Sequence, residues 1–215
     1  MNICVIPARS GSKRIKDKNI EPFLGRPIIS YSIETAKATE MFTRIIVSTD
    51  SERYGEIAEN YGAEWLPRTE YTSGDMARDE NVMREVLGQI PCHYMCYLYP
   101  CAPLVRPGRL MEGFQRMQLD RTIGSVSVIQ APQATRYTVV DGMGQRREKE
   151  ERFVDAGQFY WIDVSWFLNV DNDEYLKLPK TMIVLRGNEA QDINLDEDWS
   201  MAEFKYYLMH RRQGA

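Results

Sequence analysis

The sequence predicts an α/β fold, with a mainly parallel β-sheet and helices on both of its faces. Short β-branched apolar runs alternate with segments whose apolar residues recur at helical spacing, at intervals of roughly 20 to 40 residues, which is typical of such folds. The chain has 215 residues, 43% of them hydrophobic and 27% charged, as in an ordinary globular protein. We therefore expect one domain over residues 1–215, with ligands at the carboxyl ends of the parallel strands.

The alternation of strands and helices begins at the N-terminus. The apolar run 2–7 predicts a buried strand, and Pro27 suits the first position of a helix whose apolar residues recur at helical spacing. The β-branched run 44–50 predicts the second strand. A helix over 54–62, closed by a glycine, and a short strand over 63–66 follow.

The same rhythm continues through the middle of the chain. An apolar stripe predicts a helix over 83–90, which Pro91 ends. Residues 94–99 have the composition of a buried strand. A helix over 110–117 and a strand over 124–129 come next.

The alternation changes after the strand that ends near residue 129. Residues 137–140, a glycine-containing turn and a charged run ending at Arg152 predict a hairpin and arm, an excursion that we place at 131–156. We expect it to serve as a lid or a subunit contact. Two strands and a closing helix then complete the chain: 158–162, 181–185 and 199–209.

Positive charge is concentrated in the loop after the first strand. The net charge of the chain is -4, yet ten residues of this loop contain five cations: Arg9, Lys13, Arg14, Lys16 and Lys18. Such a local cluster predicts a bound polyanion. The acidic remainder, without a basic face, argues against a nucleic-acid-binding protein and favours a nucleotide ligand. Gly11 would let the loop turn tightly around phosphates.

The loop matches neither of two common nucleotide-binding fingerprints. No G-x4-G-K-[ST] sequence occurs, and no G-x-G-x-x-G sequence follows the first strand. The second absence makes a dinucleotide-dependent oxidoreductase the weaker interpretation of the α/β pattern. A solvated basic loop without a ligand is the other alternative.

Membrane and metal-thiolate signals are weak. No apolar run approaches the ~20 residues of a membrane span, and the sequence begins with a strand rather than a signal peptide, so we expect a cytoplasmic protein. The cysteines could suggest a zinc site with His93, but they lack paired spacing, so we expect reduced and packed thiols. They are Cys4, Cys92, Cys96 and Cys101.

Several motifs resemble those of one enzyme family. The segment Pro7-Ala8-Arg9-Ser10-Gly11-Ser12-Lys13-Arg14, followed by Lys18-Asn19, is similar to the signature of the sugar-acid cytidylyltransferases, which join a nonulosonic acid to CMP. Further matches follow in order: Gly25-Arg26-Pro27-Ile28-Ile29, Ile46-Val47-Ser48-Thr49-Asp50, Tyr61-Gly62-Ala63-Glu64, Tyr99-Pro100-Cys101-Ala102-Pro103 and Gln191-Asp192-Ile193. The resemblance implies a Rossmann-like fold of the nucleotide-diphospho-sugar transferase type.

Two features favour one branch of that family. The segment 155–161 resembles the branch that activates pseudaminic acid, and Tyr99 stands where many neuraminate-type relatives have glutamine. Two segments depart from the family pattern: 73–79 lacks a threonine-rich motif, and 137–155 is shorter than in typical pseudaminate enzymes. The alternatives are the same chemistry on legionaminic or N-acetylneuraminic acid, and a nucleotide-binding homologue with impaired catalysis.

The resemblance also implies a reaction and a set of site residues. The anomeric hydroxyl of the sugar acid attacks the α-phosphorus of CTP and displaces pyrophosphate, so no protein nucleophile is required. The resemblance assigns catalysis to Arg9, Lys13 and Lys18, which would neutralise phosphate charge. The nucleotide-binding residues are Ala8, Arg9, Ser10, Gly11, Lys13, Asn19, Ser48, Asp50, Arg68 and Pro100. The sugar-binding residues are Tyr99, Arg106, Gln158, Phe159 and Tyr160.

Some of these residues have structural alternatives. Phe159 could simply pack in the core, and Asp50 could cap a helix. Arg68 could face solvent, and Arg106 could merely lead into the helix after it. The resemblance further implies a homodimer that uses the excursion as a contact.

The resemblance places Mg2+ at Asp192 and Asn194. Residues two apart in an extended segment share a face, so both side chains could reach one ion. The family motif has aspartate at both positions, and the neutral amide of Asn194 predicts weaker metal binding. The acidic run 196–198 just beyond is expected to begin a helix, where negative charge is favoured, although one of its carboxylates could be a ligand.

Overall fold

The computed structural model describes residues 1–131, 137–140, 143–146 and 152–211. Its strands, in chain order, are β1 (Asn2–Pro7), β2 (Pro22–Phe23), β3 (Arg26–Pro27), β4 (Arg44–Thr49), β5 (Glu64–Pro67), β6 (Tyr94–Leu98), β7 (Gly124–Gln130), β8 (Tyr137–Val140), β9 (Met143–Arg146), β10 (Phe153–Asp163) and β11 (Thr181–Leu185). Its α-helices are α1 (Ile29–Ala38), α2 (Glu52–Asn60), α3 (Glu70–Ser73), α4 (Asp79–Gln89), α5 (Pro107–Asp120), α6 (Val164–Leu168), α7 (Asn172–Lys177) and α8 (Asp196–Arg211).

The central sheet has seven strands in the order β11-β7-β10-β6-β1-β4-β5. β1 pairs in parallel with both β4 and β6, and β5 and β11 also join the sheet in parallel. Only β10 among these strands runs antiparallel to its neighbours, β6 and β7. It does so because it returns from the end of the sheet at which β7 finishes. The mainly parallel sheet confirms the predicted fold class.

Helices cover both faces of the sheet because side chains alternate along its strands. From β1, Cys4 and Ile6 point into a cluster that contains apolar residues of α1, α2 and α5. Ile3 and Val5 point to the opposite side, where they meet α4 and α6. The two clusters hold the sheet as the middle layer of three.

Three local features differ from the sequence prediction. Pro27 lies in β3, which forms a two-stranded hairpin with β2, and α1 begins only at Ile29. The turn between β2 and β3 uses Leu24 and Gly25, both with positive φ, so Pro27 extends a strand instead of opening a helix. The short helices α6 and α7 were not predicted, although Asp163 and Asp171 cap their N-termini.

The predicted excursion is narrower than expected. β10 begins at Phe153, which pairs with Gln130, so residues 153–156 belong to the central sheet. β8 and β9 form an antiparallel pair, as a hairpin requires. The turn was predicted at 141–144: residues 141–142 lie outside the described residues, and 143–144 belong to β9. Most of the charged run also lies outside the described residues. The single domain and the lid or subunit-contact role stay predictions.

Among the described residues, no helix combines the length and the apolar composition that a bilayer crossing demands.

Gly124, the first residue of β7, has no room for a side chain. A Cβ there would lie 2.3 Å from the backbone oxygen of Trp161 and 3.2 Å from the Tyr175 hydroxyl. We expect Gly124→Ala to lower the free energy of unfolding by about 1–3 kcal/mol, measured by urea denaturation, because it overpacks a core. Gly88→Ala is the matched control, since open space surrounds Gly88 on α4. It should be neutral or stabilising by up to about 1 kcal/mol. Equal stability of Gly124→Ala and the unmutated protein would contradict the packing.

Candidate active site

A cleft of about 650 Å³ opens beyond the carboxyl ends of β1 and β6. It is lined by the basic loop after β1, by residues between β5 and α4, by the segment after β6 and by the segment before α8. Nine of the predicted site residues line it: Arg9, Lys13, Lys18, Asn19, Arg68, Tyr99, Pro100, Asp192 and Asn194. The cleft is therefore where the fold predicted a ligand.

The basic loop is held in place by neighbouring strands. The Ala8 N–H donates to the Ser48 backbone oxygen at 2.8 Å. The Asp50 carboxylate accepts from both the N–H and the hydroxyl of Ser10, at 2.8 and 2.9 Å. The Asn19 amide donates to the Arg9 backbone oxygen at 2.9 Å. Six of the predicted nucleotide-binding residues thus take part in the hydrogen bonds that shape the loop: Ala8, Arg9, Ser10, Asn19, Ser48 and Asp50.

The structure excludes the capping alternative for Asp50 and shows the tight turn at Gly11. Asp50 does not cap α2, because the Ser51 hydroxyl is the acceptor at that helix N-terminus. Gly11 is the centre of a three-residue turn in which the Ser12 N–H donates to the Ser10 backbone oxygen at 2.9 Å. The tight turn is present, but the φ of Gly11 lies outside the left-handed region and open space surrounds it, so the backbone does not require glycine there.

Asp75 pairs with the cations of the loop. Its carboxylate binds Arg9, with Nη1 and Oδ1 2.8 Å apart, and it also binds Lys13. The hydrogen bond from Lys13, and then that from Arg9, lowers the pKa of Asp75. Sequence reasoning missed this residue, although it lies in the segment 73–79 that departs from the family pattern.

Lys18 and Arg68 join separate walls of the cleft. The Lys18 ammonium donates to the Ile193 backbone oxygen at 2.8 Å, which connects the basic loop to the segment before α8. Arg68 Nε donates to the backbone oxygen and hydroxyl of Ser48, and Nη1 donates to the Thr72 backbone oxygen. Burial lowers the pKa of Arg68. Arg68 is therefore largely buried in the wall rather than facing solvent.

A carboxylate and several phenols form another wall. The Asp79 carboxylate accepts from the Tyr97 hydroxyl at 2.9 Å and from the Tyr99 hydroxyl. The Tyr99 ring meets Tyr160 edge-on, with centroids 5.9 Å apart, and the Tyr160 hydroxyl donates to Asp155 at 2.5 Å. Burial raises the pKa of both Tyr99 and Tyr160, so both phenols are neutral donors. Asp79 was not predicted from the sequence.

Three predicted sugar-binding residues lie elsewhere. Phe159 is fully buried in the core next to Trp161, so it has the packing role that was the alternative to sugar binding. Gln158 is also fully buried, and its amide donates to backbone oxygens of residues 156, 157 and 191. Arg106 precedes α5 and faces a separate hollow beside Tyr31 and His210. These side chains are not positioned to contact a ligand in the cleft.

The predicted metal ligands lie side by side. The Asn194 amide nitrogen is 2.7 Å from Oδ2 of Asp192. Gly157, with a φ of 60°, lies against Asp192, since a Cβ on it would be 3.5 Å from the carboxyl carbon. Asp198 accepts from the N–H groups of Asn194 and Leu195 at 2.9 Å. The acidic run therefore begins α8, as expected, and holds the segment in place.

The oxygens of Asp192 and Asn194 fit one mode of magnesium binding. The described residues contain no group of three or more His, Cys, Asp or Glu side chains that could enclose a metal ion. Mg2+ usually keeps several waters and takes one or two protein oxygens together with substrate phosphates. A pair of oxygens in a cleft that also contains Arg9 and Lys13 suits that mode.

Cys101 lines the cleft without being a nucleophile. Its thiol is 3.3 Å from the Asn19 side-chain oxygen, and burial raises its pKa to about 12. A thiol with this pKa is protonated at neutral pH, and the thiolate is the reactive form. The cleft therefore offers cationic side chains and side-chain oxygens.

Together, the fold and this cleft define a nucleotidyltransferase. A model of the cytidylyltransferase family matches residues 3–135. The chain belongs to the cytidylyltransferase family.

Named relatives agree with this assignment. The chain is 30% identical to a pseudaminic acid cytidylyltransferase of Campylobacter jejuni subsp. jejuni serotype O:2, over 97% of both proteins. It is 26% identical to a CMP-N,N'-diacetyllegionaminic acid synthase of the same organism, over 94% of this chain and 93% of the relative. The solved structure of a CMP:2-keto-3-deoxy-manno-octonic acid synthetase complexed with CTP has the same fold, with a TM-score of 0.74, 16% identity and coverage of 98% and 99%.

Alkylation tests the inert character of Cys101. We expect iodoacetamide at pH 8 to modify Cys101 at least about a hundredfold more slowly than a free thiol of pKa about 8.5, as followed by mass spectrometry of the folded protein. The rate should rise with pH up to the pKa of about 12. Urea-unfolded protein, in which the thiol regains its ordinary pKa, is the control. Rapid modification of the folded protein at pH 8 would contradict the protonated, buried thiol.

Proposed function

We propose that the protein transfers CMP from CTP to the anomeric oxygen of a nonulosonic acid and releases pyrophosphate. One observation carries the proposal: the cationic loop and the Asp192–Asn194 oxygen pair line the same cleft, joined by the bond from Lys18 to Ile193. Phosphate-binding cations thereby lie close to oxygen ligands suited to Mg2+. The family and the coverage of its named relatives support the same reaction.

The residues supply electrostatic stabilisation. Arg9 and Lys13 bind the phosphates and stabilise the negative charge that moves to the leaving pyrophosphate. Lys18 adds positive charge while it fixes the position of the segment 192–194. The sugar hydroxyl is the nucleophile, which agrees with the protonated state of Cys101.

Asp192 and Asn194 would hold Mg2+. When bound, the ion shields phosphate charge and polarises phosphate oxygens. Asp192 supplies a charged oxygen, whereas the Asn194 amide must turn its oxygen toward the ion, because its nitrogen now donates to Asp192. Gly157 lies beside this pair, in contact distance of Asp192.

Pseudaminic acid is the proposed acceptor. A relative named for this sugar aligns along 97% of the chain, and Tyr99 presents its phenol in the cleft. Tyr160 contacts Tyr99, so it can support the orientation of that ring at the sugar side. Legionaminic acid is the alternative acceptor, since a legionaminic relative covers nearly as much of the chain.

We also propose a cytoplasmic homodimer. CTP is a cytoplasmic nucleotide, and the four cysteines are free thiols, as a reducing compartment favours. The family resemblance gives the excursion a role in subunit contact. A mass in solution of twice the chain mass, measured by light scattering, would support the dimer.

Pyrophosphate release is the test of the proposed reaction. With CTP and Mg2+, pseudaminic, legionaminic and N-acetylneuraminic acids should be offered in parallel, and we expect the highest kcat/KM with pseudaminic acid. Asp192→Ala should lower it by about a hundredfold or more, because a metal ligand is lost. Glu174→Ala removes an exposed carboxylate on α7 and should leave activity unchanged. Normal activity of Asp192→Ala, or preference for another sugar, would contradict the assignment.

Asn194→Asp tests the metal site separately. The added carboxylate should lower the Mg2+ concentration for half-maximal activity by about threefold to tenfold, because charge attracts the ion. Asn194→Ala should raise it. An unchanged requirement in both variants would place the metal elsewhere. If the protein binds CTP without turnover and Asn194→Asp restores it, the neutral amide at position 194 defines a nucleotide-binding homologue instead.

A further inference from the structure

The Asp75 carboxylate pairs with the cations to which the proposed function assigns the triphosphate. One oxygen lies 2.8 Å from Arg9 Nη1, and the other binds the Lys13 ammonium. A phosphate that approached these two groups would meet a carboxylate already bound to both. Asp75 therefore competes with the phosphates for the same donors.

Asp75 lies on a short loop, residues 74–78, between α3 and α4. Its side chain is 49% exposed, and the neighbouring Met76 is 92% exposed. A Cβ on Gly74 would meet nothing within 4 Å. Arg78, at the end of the loop, pairs with Asp173 at 2.8 Å, which anchors that end. Little packing opposes an outward movement of residues 74–76, so an incoming ligand can displace the carboxylate at a small loss of buried surface.

Asp75 partly offsets the excess of positive charge in the cleft. Five cations line it, Arg9, Lys13, Arg14, Lys18 and Arg68, together with three carboxylates, Asp75, Asp79 and Asp192. The Asp79 carboxylate accepts hydrogen bonds from two phenol hydroxyls, and the Asp192 carboxylate accepts one from the Asn194 amide. Asp75 is thus the carboxylate that offsets the positive charge of Arg9 and Lys13, on the side of the cleft proposed to bind phosphate.

We propose that Asp75 is an internal counter-anion of the basic loop, which CTP displaces on binding and which pairs again with Arg9 and Lys13 as pyrophosphate leaves. The inference rests on the proposed function. The apparent affinity for a polyphosphate is the intrinsic affinity multiplied by the fraction of molecules whose cations are free. Pairing therefore weakens the retention of pyrophosphate and keeps singly charged anions off the loop.

A role for Asp75 in supporting phosphate binding would predict the opposite change in affinity. If Asp75 oriented Arg9 and Lys13 for phosphate binding, or held Mg2+ itself, then its removal would weaken the binding of polyphosphates. The direction of the change in affinity therefore separates a competing carboxylate from a positioning one.

The experiment is calorimetric titration of the full-length protein with pyrophosphate and with CTP, in a chelator so that no metal contributes. We expect Asp75→Asn to bind both ligands about threefold to tenfold more tightly, the range for the loss of two partly exposed ion pairs. Asp75→Glu, which keeps the charge, should bind like the unmutated protein. In turnover, Asp75→Asn should show a lower KM for CTP and stronger inhibition by pyrophosphate.

Glu64→Gln is the matched control. Glu64 is 50% exposed, pairs with Arg44 and lies on β5 away from the cleft lining, so its neutralisation should leave both affinities unchanged. Thermal unfolding of each variant confirms that it is folded, and Asp75→Ala repeats the test without an amide. Unchanged or weaker binding by both Asp75→Asn and Asp75→Ala overturns the proposal.

The test separates this inference from the proposed function. Tighter binding by Asp75→Asn in a protein that releases no pyrophosphate with any sugar acid would support the counter-anion and remove the proposed reaction. Normal turnover with unchanged affinity of Asp75→Asn would remove only the counter-anion. Failure of the unmutated protein to bind either ligand overturns both.

Discussion

The parallel pairing of β1 with both β4 and β6 is the constraint on which the site depends. It places β1 near the middle of the sheet and brings the carboxyl ends of three strands to one edge. The basic loop leaves β1 at this edge and is fixed there by Ser48 and Asp50, at and just beyond the end of β4. The segment after β6, with Tyr99 and Pro100, completes the opposite wall. The cleft that contains the residues proposed for the reaction lies at this edge.

Carboxylates organise the cationic site. Asp50 binds the Ser10 N–H and hydroxyl, Asp198 binds two N–H groups of the segment before α8, and Asp75 binds Arg9 and Lys13. The first two hold backbone in place, which reduces the conformational entropy lost when a ligand binds. The third pairs with the cations that are proposed to bind phosphate. Carboxylates thus hold the backbone in one part of the site and, in our proposal, compete with the ligand in another.

The sequence could predict the order of strands and helices, because their apolar periodicity is local. It could also predict the basic loop, since five cations in ten residues need no tertiary information. It could not predict Asp75 and Asp79, because the short connection between α3 and α4 reaches the cleft only in the folded chain. The position of Arg106 could not be predicted for the opposite reason. Arg106 is close to Pro100 in sequence, but it immediately precedes α5 and faces another hollow.

The side chains that face the proposed sugar are determined by the alternation of side chains along β10. Neighbouring residues of a strand face opposite sides, so Phe159 and Tyr160 cannot both line one cleft. Phe159 joins the core cluster with Trp161, which leaves Tyr160 on the face that meets Tyr99. A register shift between Asp155 and Tyr160 contains Gly157, which has a positive φ and lies beside Asp192. A change in this irregularity would therefore alter both the aromatic residue that faces the proposed sugar and the backbone beside the proposed metal ligand.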